Sequence, residues 1–119
     1  MTGFVEILGA RRPIGLKPAD TNEATLYTAA KENPTMLKLH VANLTATPAN
    51  ATVKWGDGTT DYSIIDTFAV PARGYLVEDL VIPMKDGYTI KVTSGTANAL
   101  TFTIIISEYG GVLGGEHAP

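Results

Sequence analysis

The chain has 119 residues, the length of one small domain, which excludes a two-domain enzyme with a cleft between its domains. Nine basic and twelve acidic residues give a net charge of −3, and this balance lacks the clustered cations of a nucleic-acid binder. The absence of cysteine excludes disulfides, thiolate catalysis and cysteine-ligated metal centres. We therefore expect one modest core, supported by contacts with other subunits.

The composition predicts an all-β fold. Threonine, isoleucine and valine account for 33 of the 119 residues, and these β-branched side chains suit a pleated sheet. Twelve glycines and seven prolines interrupt the chain at short intervals, as turns between short strands do. No apolar run is long enough to span a membrane, and the first residues lack the basic start of a signal peptide. The expectation is a protein made in the cytoplasm that binds neither membranes nor nucleic acid.

The sequence divides into an N-terminal arm at 1–12, a β-sandwich domain at 13–108 and a glycine-rich tail at 109–119. Apolar side chains occur in both end segments, and a basic pair closes the arm. An apolar arm on a small domain packs either on its own body or on a neighbour. The residues expected to contact a partner are Phe4, Val5, Ile7, Leu8, Arg11, Arg12, Val112 and Leu113.

Two patterns compete in the first part of the domain. Residues 13–19 predict a short strand at a sheet edge, because a proline has no backbone N–H to donate to a neighbouring strand. Residues 20–33 fit either a capped helix or a strand, and we predict a strand at 24–29 followed by a turn at 32–34.

The strongest alternation lies at 35–45, where Leu37, Leu39 and Val41 share one predicted face. Lys38, His40 and Ala42 share the other. Further apolar or alternating runs, separated by glycine or proline turns, predict strands at 51–55, 62–70, 75–82, 88–93 and 100–106. About eight strands result, which indicates an antiparallel β-sandwich of jelly-roll-like or immunoglobulin-like topology.

The side chains that could carry chemistry do not form a recognisable site. His40 and His117 have no neighbouring histidine or carboxylate at ligand spacing. The acidic turn at 57–61 lacks the spacing of a calcium loop and is better interpreted as a hairpin turn. Glu78 and Asp79 are adjacent on a strand, so they point to opposite faces and cannot act as a pair. The sequence predicts no catalytic residue, no metal site and no cofactor, and hence a protein that is not an enzyme.

Charge is unevenly distributed along the chain. Residues 57–86 contain six acidic and two basic side chains, whereas residues 1–31 contain four basic and three acidic ones. A slightly basic N-terminal part and an acidic middle suit head-to-tail contacts between identical chains, so we expect a homo-oligomer.

Several motifs in a fixed order resemble a family of small bacteriophage virion proteins. The opening "ATLYT" lies at 24–28, and the strand "LKLHVANLT" follows at 37–45. The strand "ATVKW" at 51–55, the turn and strand "DGYTIKV" at 86–92 and the closing "TANALTFT" at 96–103 come next in the family's order. The resemblance covers about residues 24–108. The chain departs from the family at 29–34, where such proteins often have a Pro-Ala-Gly turn.

The resemblance implies a β-sandwich accessory of a phage particle. The expected function is a capsid decoration (cement) protein that stabilises the head by contacts with the major capsid protein or other virion proteins. Its location would be the virion, after synthesis in the host bacterial cytoplasm. The alternative within the same family is a tail- or neck-associated structural or receptor-binding module.

A second, shorter resemblance involves residues 55–60, "WGDGTT", which is similar to the "FGDGT" motif of extracellular PKD-type binding domains. A receptor or carbohydrate binder would use exposed aromatic side chains, and the candidates are Trp55, Tyr62, Tyr75 and Tyr88. Because Trp55 shares its predicted face with Val53, we expect it to belong to the core.

Overall fold

The computed structural model describes residues 11–30 and 33–108, and this part of the chain is built entirely from strands, turns and loops. In the described residues, no helix has the length and apolar composition needed to cross a membrane. The eight strands are β1 (Arg11–Leu16), β2 (Ala24–Thr28), β3 (Thr35–Asn43), β4 (Ala49–Gly56), β5 (Asp61–Val70), β6 (Tyr75–Pro83), β7 (Thr89–Ser94) and β8 (Leu100–Ser107).

The strands form two four-stranded antiparallel sheets, A in the order β1-β8-β3-β6 and B in the order β2-β7-β4-β5. The pairs β1/β8, β2/β7, β3/β6 and β4/β5 are nested, as in one long hairpin rolled into a sandwich. This is the jelly-roll arrangement. In an immunoglobulin-like sandwich the first two strands share a sheet, whereas β1 and β2 lie in different sheets here. Of the two predicted topologies, the jelly roll is confirmed.

Strand directions place the connections at two ends of the sandwich. The first and last described residues, Arg11 and Glu108, share one end, which we call the terminal end, with residues 29–30 and 33–34 and the connections at 57–60 and 84–88. The connections at 17–23, 44–48, 71–74 and 95–99 lie at the far end. The predicted strand at 24–29 is β2, so the helical alternative is wrong.

The core fills the space between the sheets, and β8 contributes most to it. Its side chains alternate as predicted, with Leu100, Phe102, Ile104 and Ile106 fully buried. The predicted face of β3 is wrong at one position, because the β3/β6 and β3/β8 registers shift between Met36 and Lys38. The shift buries Met36 and leaves Leu37 half-buried, while Leu39 and Val41 remain in the core. The other fully buried large side chains are Val53, Val70, Met84, Ile90 and Val92.

One buried polar residue ties the far end together. Asn43 ends β3, and its Nδ2 donates to the carbonyl oxygens of Thr47 at 2.8 Å and Val70 at 3.1 Å. Its Oδ1 accepts from the backbone N–H of Thr45 at 2.9 Å and from the Thr45 hydroxyl at 2.7 Å. Asn43 thereby joins the β3–β4 loop to the end of β5.

The three predicted tight turns are present, and two of them rely on a glycine in the left-handed conformation. Gly58 and Gly87 have φ values of 94° and 90°, which glycine adopts at little cost. At the β5–β6 turn it is Arg73, with φ of 53°, that takes the left-handed conformation rather than Gly74. Gly74 is needed for another reason, because an added Cβ would lie 3.1 Å from the Cβ of Pro71.

Candidate interaction surfaces

The histidines show no arrangement for catalysis in the described part of the chain. His40 lies on the outer face of sheet A and stacks on Tyr75, with ring centroids 5.7 Å apart and planes 17° from parallel. His117 lies outside the described residues. Within 11–30 and 33–108, no group of three histidine or carboxylate side chains is placed to hold a metal ion.

The acidic turn at 57–60 uses its carboxylate to build the turn itself. Asp57 Oδ1 accepts hydrogen bonds from the backbone N–H groups of Thr60 at 2.8 Å and Thr59 at 2.9 Å. These two bonds hold the pKa of Asp57 below its ordinary value, because they favour the charged form. The geometry supports the interpretation as a hairpin turn.

The neighbouring acids of β6 face opposite ways, as predicted. Asp79 is opposite Lys38 and forms an exposed ion pair with it at 3.4 Å. Glu78 is opposite Leu39, a core residue, so it lies on the inward face of an edge strand. An inward charge on an edge strand discourages further strand pairing. Its effect here is structural, and the two carboxylates do not act together.

A polar network closes the sandwich at the terminal end. Arg12 of β1 binds Glu108 with Nε–Oε1 and Nη2–Oε2 distances of 2.9 and 3.3 Å. Tyr27 of β2 donates its hydroxyl to Glu108 Oε2 at 2.8 Å. The hydrogen bonds from Arg12 and Tyr27 lower the pKa of Glu108. We call this network the latch; it connects the end of sheet A to sheet B.

The first and last described residues lie side by side at the terminal end. Arg11, the first described residue, is opposite Ser107 at the end of β8. Of the predicted partner contacts, Arg11 is exposed in β1, and Arg12 is exposed but engaged in the latch. The other six lie outside the described residues, and they are Phe4, Val5, Ile7, Leu8, Val112 and Leu113.

The lateral sides of the sandwich differ in how well they cover the core. On the closed side, formed by β1 and β2, Leu26 and Tyr27 are buried and the latch bridges the sheets. On the open side, formed by β5 and β6, the backbones of the two edge strands come close at fewer positions than those of β1 and β2 do. Tyr62 and Phe68 are each 43% exposed there. Half-buried apolar side chains between them and the core are Ile64, Ile65, Leu76, Leu80 and Ile82.

The sequence did not identify the open side, because the position of β5 and β6 at sheet edges is a property of the topology. One signal was present in β5. Its run 62–70 has apolar residues at both odd and even positions, and the register shifts twice along it. A strand with that pattern does not present one clean face to the core.

The aromatic residues considered for ligand binding form one cluster and one separate pair. Trp55 is half-buried and packs against the core, as predicted. It stacks with Tyr62 at 4.5 Å and with Tyr88 at 5.8 Å between ring centroids. Tyr75 lies apart, 68% exposed beside His40. The indole is therefore largely engaged within the protein.

Comparison with known proteins gives structural likeness without detectable sequence kinship. No protein-family model and no curated protein match the chain. The capsid structure of Helicobacter pylori bacteriophage KHP30 matches with a TM-score of 0.54 and 8% identity, over 81% of this chain and 83% of that one. A pentameric capsid protein from metagenomic phage sequences matches with a TM-score of 0.51 and 16% identity, over 88% of this chain and 65% of that one.

The same fold occurs in a protein described quite differently. The Drosophila NLP core, described in terms of pentamer formation and histone binding, matches with a TM-score of 0.52 and 8% identity, over 81% of this chain and 95% of that one. The present chain spans only 65% of the metagenomic phage protein. At these identities the likeness shows a shared β-sandwich fold, and the function has to be argued from this chain.

Proposed function

We propose that this protein is a structural protein of a bacteriophage virion, and specifically a capsid decoration protein bound to the major capsid protein. The observation that carries the proposal is that the first and last described residues lie at one edge of the terminal end, where Arg11 is opposite Ser107. The end segments hold the apolar residues expected to contact a partner, so two adhesive segments start beside each other. Two linked contacts on one neighbour bind far more tightly than either does alone.

The fold supports this proposal. Two of the similar structures are phage capsid proteins, and the motif order of the sequence resembles that of virion accessory proteins. A body whose described residues include no group of three side chains placed to hold a metal ion suits a structural function. Burial of one large apolar side chain in a partner contributes about 1.5 to 3 kcal/mol, so even a few from each segment suffice for stable attachment.

A homo-oligomer on the particle is part of the proposal. The metagenomic phage protein and the Drosophila NLP core are both described as pentameric, and this chain shares their fold. The distribution of charge along the sequence also suits repeated contacts between identical chains.

Deletion of the end segments tests the attachment. The N-terminal deletion should stop at residue 10, because Arg11 and Arg12 belong to β1 and Arg12 holds the latch. We expect the protein lacking 1–10, and that lacking both 1–10 and 109–119, to fold but not to bind particles that lack the native protein. The matched control keeps both segments and carries Leu44→Asp at the far end. Particles saturated equally by the shortened protein would refute the attachment model.

Electron microscopy of labelled particles separates the decoration function from its alternative. Antibody or gold label on the head lattice supports decoration. Label confined to the tail or neck supports the alternative structural function, which the same fold and end segments also suit.

A further inference from the structure

The open side is an incomplete face of the core. Tyr62 and Phe68 of β5 are each 43% exposed, although they are opposite the core-facing residues Trp55 and Ala51 of β4. Across the gap, Leu76 and Ile82 of β6 are half-buried, although they are opposite the fully buried Val41 and Met36. Large apolar side chains that are exposed at core-facing positions are typical of a site that another surface covers.

The two lateral sides carry opposite charge. The strands of the open side contain four acidic residues and no basic one, and the acids are Asp61, Asp66, Glu78 and Asp79. The strands of the closed side contain Arg11 and Arg12 and no acidic residue, and Glu108 of the latch neutralises Arg12, so that Arg11 supplies the remaining positive charge. The four ion pairs found among residues 11–30 and 33–108 involve Asp61, Asp79 and Arg12 but leave out Asp66, Glu78 and Arg11. Each side therefore retains charge that the other can complement.

The backbone at these edges disfavours simple strand addition. In β5 the register shifts around Thr67, whose N–H binds the Thr52 hydroxyl at 3.1 Å, and such a bulge interrupts the ladder. In β6 the inward Glu78 has a similar effect. On the closed side, Pro13 has no N–H to donate. A partner at these edges is therefore held by contacts between side chains and not by backbone strand pairing. Such contacts are selective for a complementary surface.

We infer that the open side of one protomer binds the closed side of a second copy of this chain, in a head-to-tail contact. This deepens the homo-oligomer part of the proposed function by assigning its two surfaces. A contact of open side with open side would oppose four carboxylates to four more. Because each protomer has one side of each kind at opposite edges of its sheets, the contact repeats and gives a ring or a filament.

Complementation between two variants tests the inference. The open-side variant is Phe68→Asp. The closed-side variant is Arg11→Glu with Gly15→Glu, because a side chain at Gly15 has ordinary van der Waals room. We expect the full-length chain to form oligomers in sedimentation velocity, and each variant alone to associate at least about tenfold more weakly. Mixed together, the two variants should form a one-to-one heterodimer, since one retains the closed side and the other the open side.

Controls separate folding from association. Leu44→Asp changes a side chain that is 50% exposed at the far end, and it should leave the oligomer unchanged. Far-UV circular dichroism checks that each variant is folded. If Phe68→Asp does not fold, Glu78→Arg replaces it as the open-side variant, because Glu78 is exposed.

Three results would overturn the inference. The first is a full-length chain that stays monomeric from micromolar to millimolar concentration. The second is a closed-side variant that still forms dimers while the mixture gains nothing, as a contact between two open sides requires. The third is an oligomer that Phe68→Asp leaves intact and deletion of residues 1–10 abolishes. That result keeps the proposed homo-oligomer but moves its contact to the N-terminal segment. Binding to phage particles is measured in a separate experiment, so a protein that does not bind particles would leave the result of the oligomerisation experiment unchanged.

Discussion

The closed side of the sandwich is short and the open side is long, yet the shorter one buries its core better. β1 and β2 have six and five residues, whereas β5 and β6 have ten and nine. The difference lies in what joins the sheets. On the closed side, the Tyr27 hydroxyl reaches Glu108 across the sandwich, and a register shift in β2 turns both Leu26 and Tyr27 inward. On the open side, no such bridge is found between the described residues of β5 and β6, and their backbones come close at fewer positions than those of β1 and β2. Strand length alone does not bury a sheet edge; contact between the two sheets does.

The largest difference between the two sides should appear on truncating one apolar side chain of each. Leu26→Ala creates a cavity on the closed side, where Leu26 is 9% exposed, and should lower the free energy of unfolding by about 2 to 4 kcal/mol. Phe68→Ala on the open side should lower it by less than about 1.5 kcal/mol, because much of the ring is in water already. Urea unfolding at low protein concentration measures both, and equal losses would contradict the comparison.

Removing the side chain that holds β5 at the far end should have the next largest effect. Asn43→Ala leaves the carbonyl oxygen of Val70 and the N–H of Thr45 without this partner, and should lower the free energy of unfolding by about 2 to 3 kcal/mol. Hydrogen exchange of the β5 amides should rise with it. Asn50→Ala, at an exposed position of β4, is the matched control. A similar loss of stability in that variant would show that the Asn43 side chain does not hold β5 in this way.

Breaking the latch should cost less, because Arg12 and Glu108 are partly in water. Glu108→Gln and Tyr27→Phe should each lower the free energy of unfolding by about 0.5 to 1 kcal/mol, and the double variant by less than the sum. Asp79→Asn breaks the exposed pair with Lys38 and should change stability by less than about 0.5 kcal/mol. Additive losses at Tyr27 and Glu108 would show that the two side chains do not act together.

The latch should also make stability depend on pH. The pKa of Glu108 is lower in the folded protein than in the unfolded chain, so its contribution is complete above the ordinary glutamate pKa of about 4.3. That contribution declines as the pH falls from there towards the lowered value. The difference in unfolding free energy between the native protein and Glu108→Gln should therefore shrink on acidification. A difference that stays constant from pH 7 to about pH 3 would contradict the latch.

The smallest expected effect is that of replacing a threonine by asparagine, which should change the free energy of unfolding in opposite directions on the two sides. Thr67 has a φ of 52° in the β5 bulge, a conformation that asparagine adopts more readily than a β-branched residue. Thr67→Asn should raise the free energy of unfolding by up to about 0.5 kcal/mol, because its backbone bond to Thr52 remains. Thr25→Asn in β2 should lower it by a similar amount, since asparagine is a poor strand former. Thermal unfolding resolves the two signs.

The sequence by itself determined the strands, because alternation with a period of two is a local property of side chains. The runs at 35–45 and 100–106 and the turns at Gly58 and Gly87 were predicted from their own residues and their immediate neighbours. The absence of a paired-carboxylate arrangement at Glu78 and Asp79 followed from the same period.

The tertiary structure decided everything that depends on pairing between distant strands. It selected the jelly roll over the immunoglobulin-like sandwich, moved Met36 into the core in place of Leu37, and brought Arg12 to Glu108. It also placed the acidic strands β5 and β6 at one edge and the basic β1 at the other. These features follow from which strands are neighbours in a sheet. A local pattern specifies the face of a strand but not its neighbour, and this is why the open side emerged only from the folded chain.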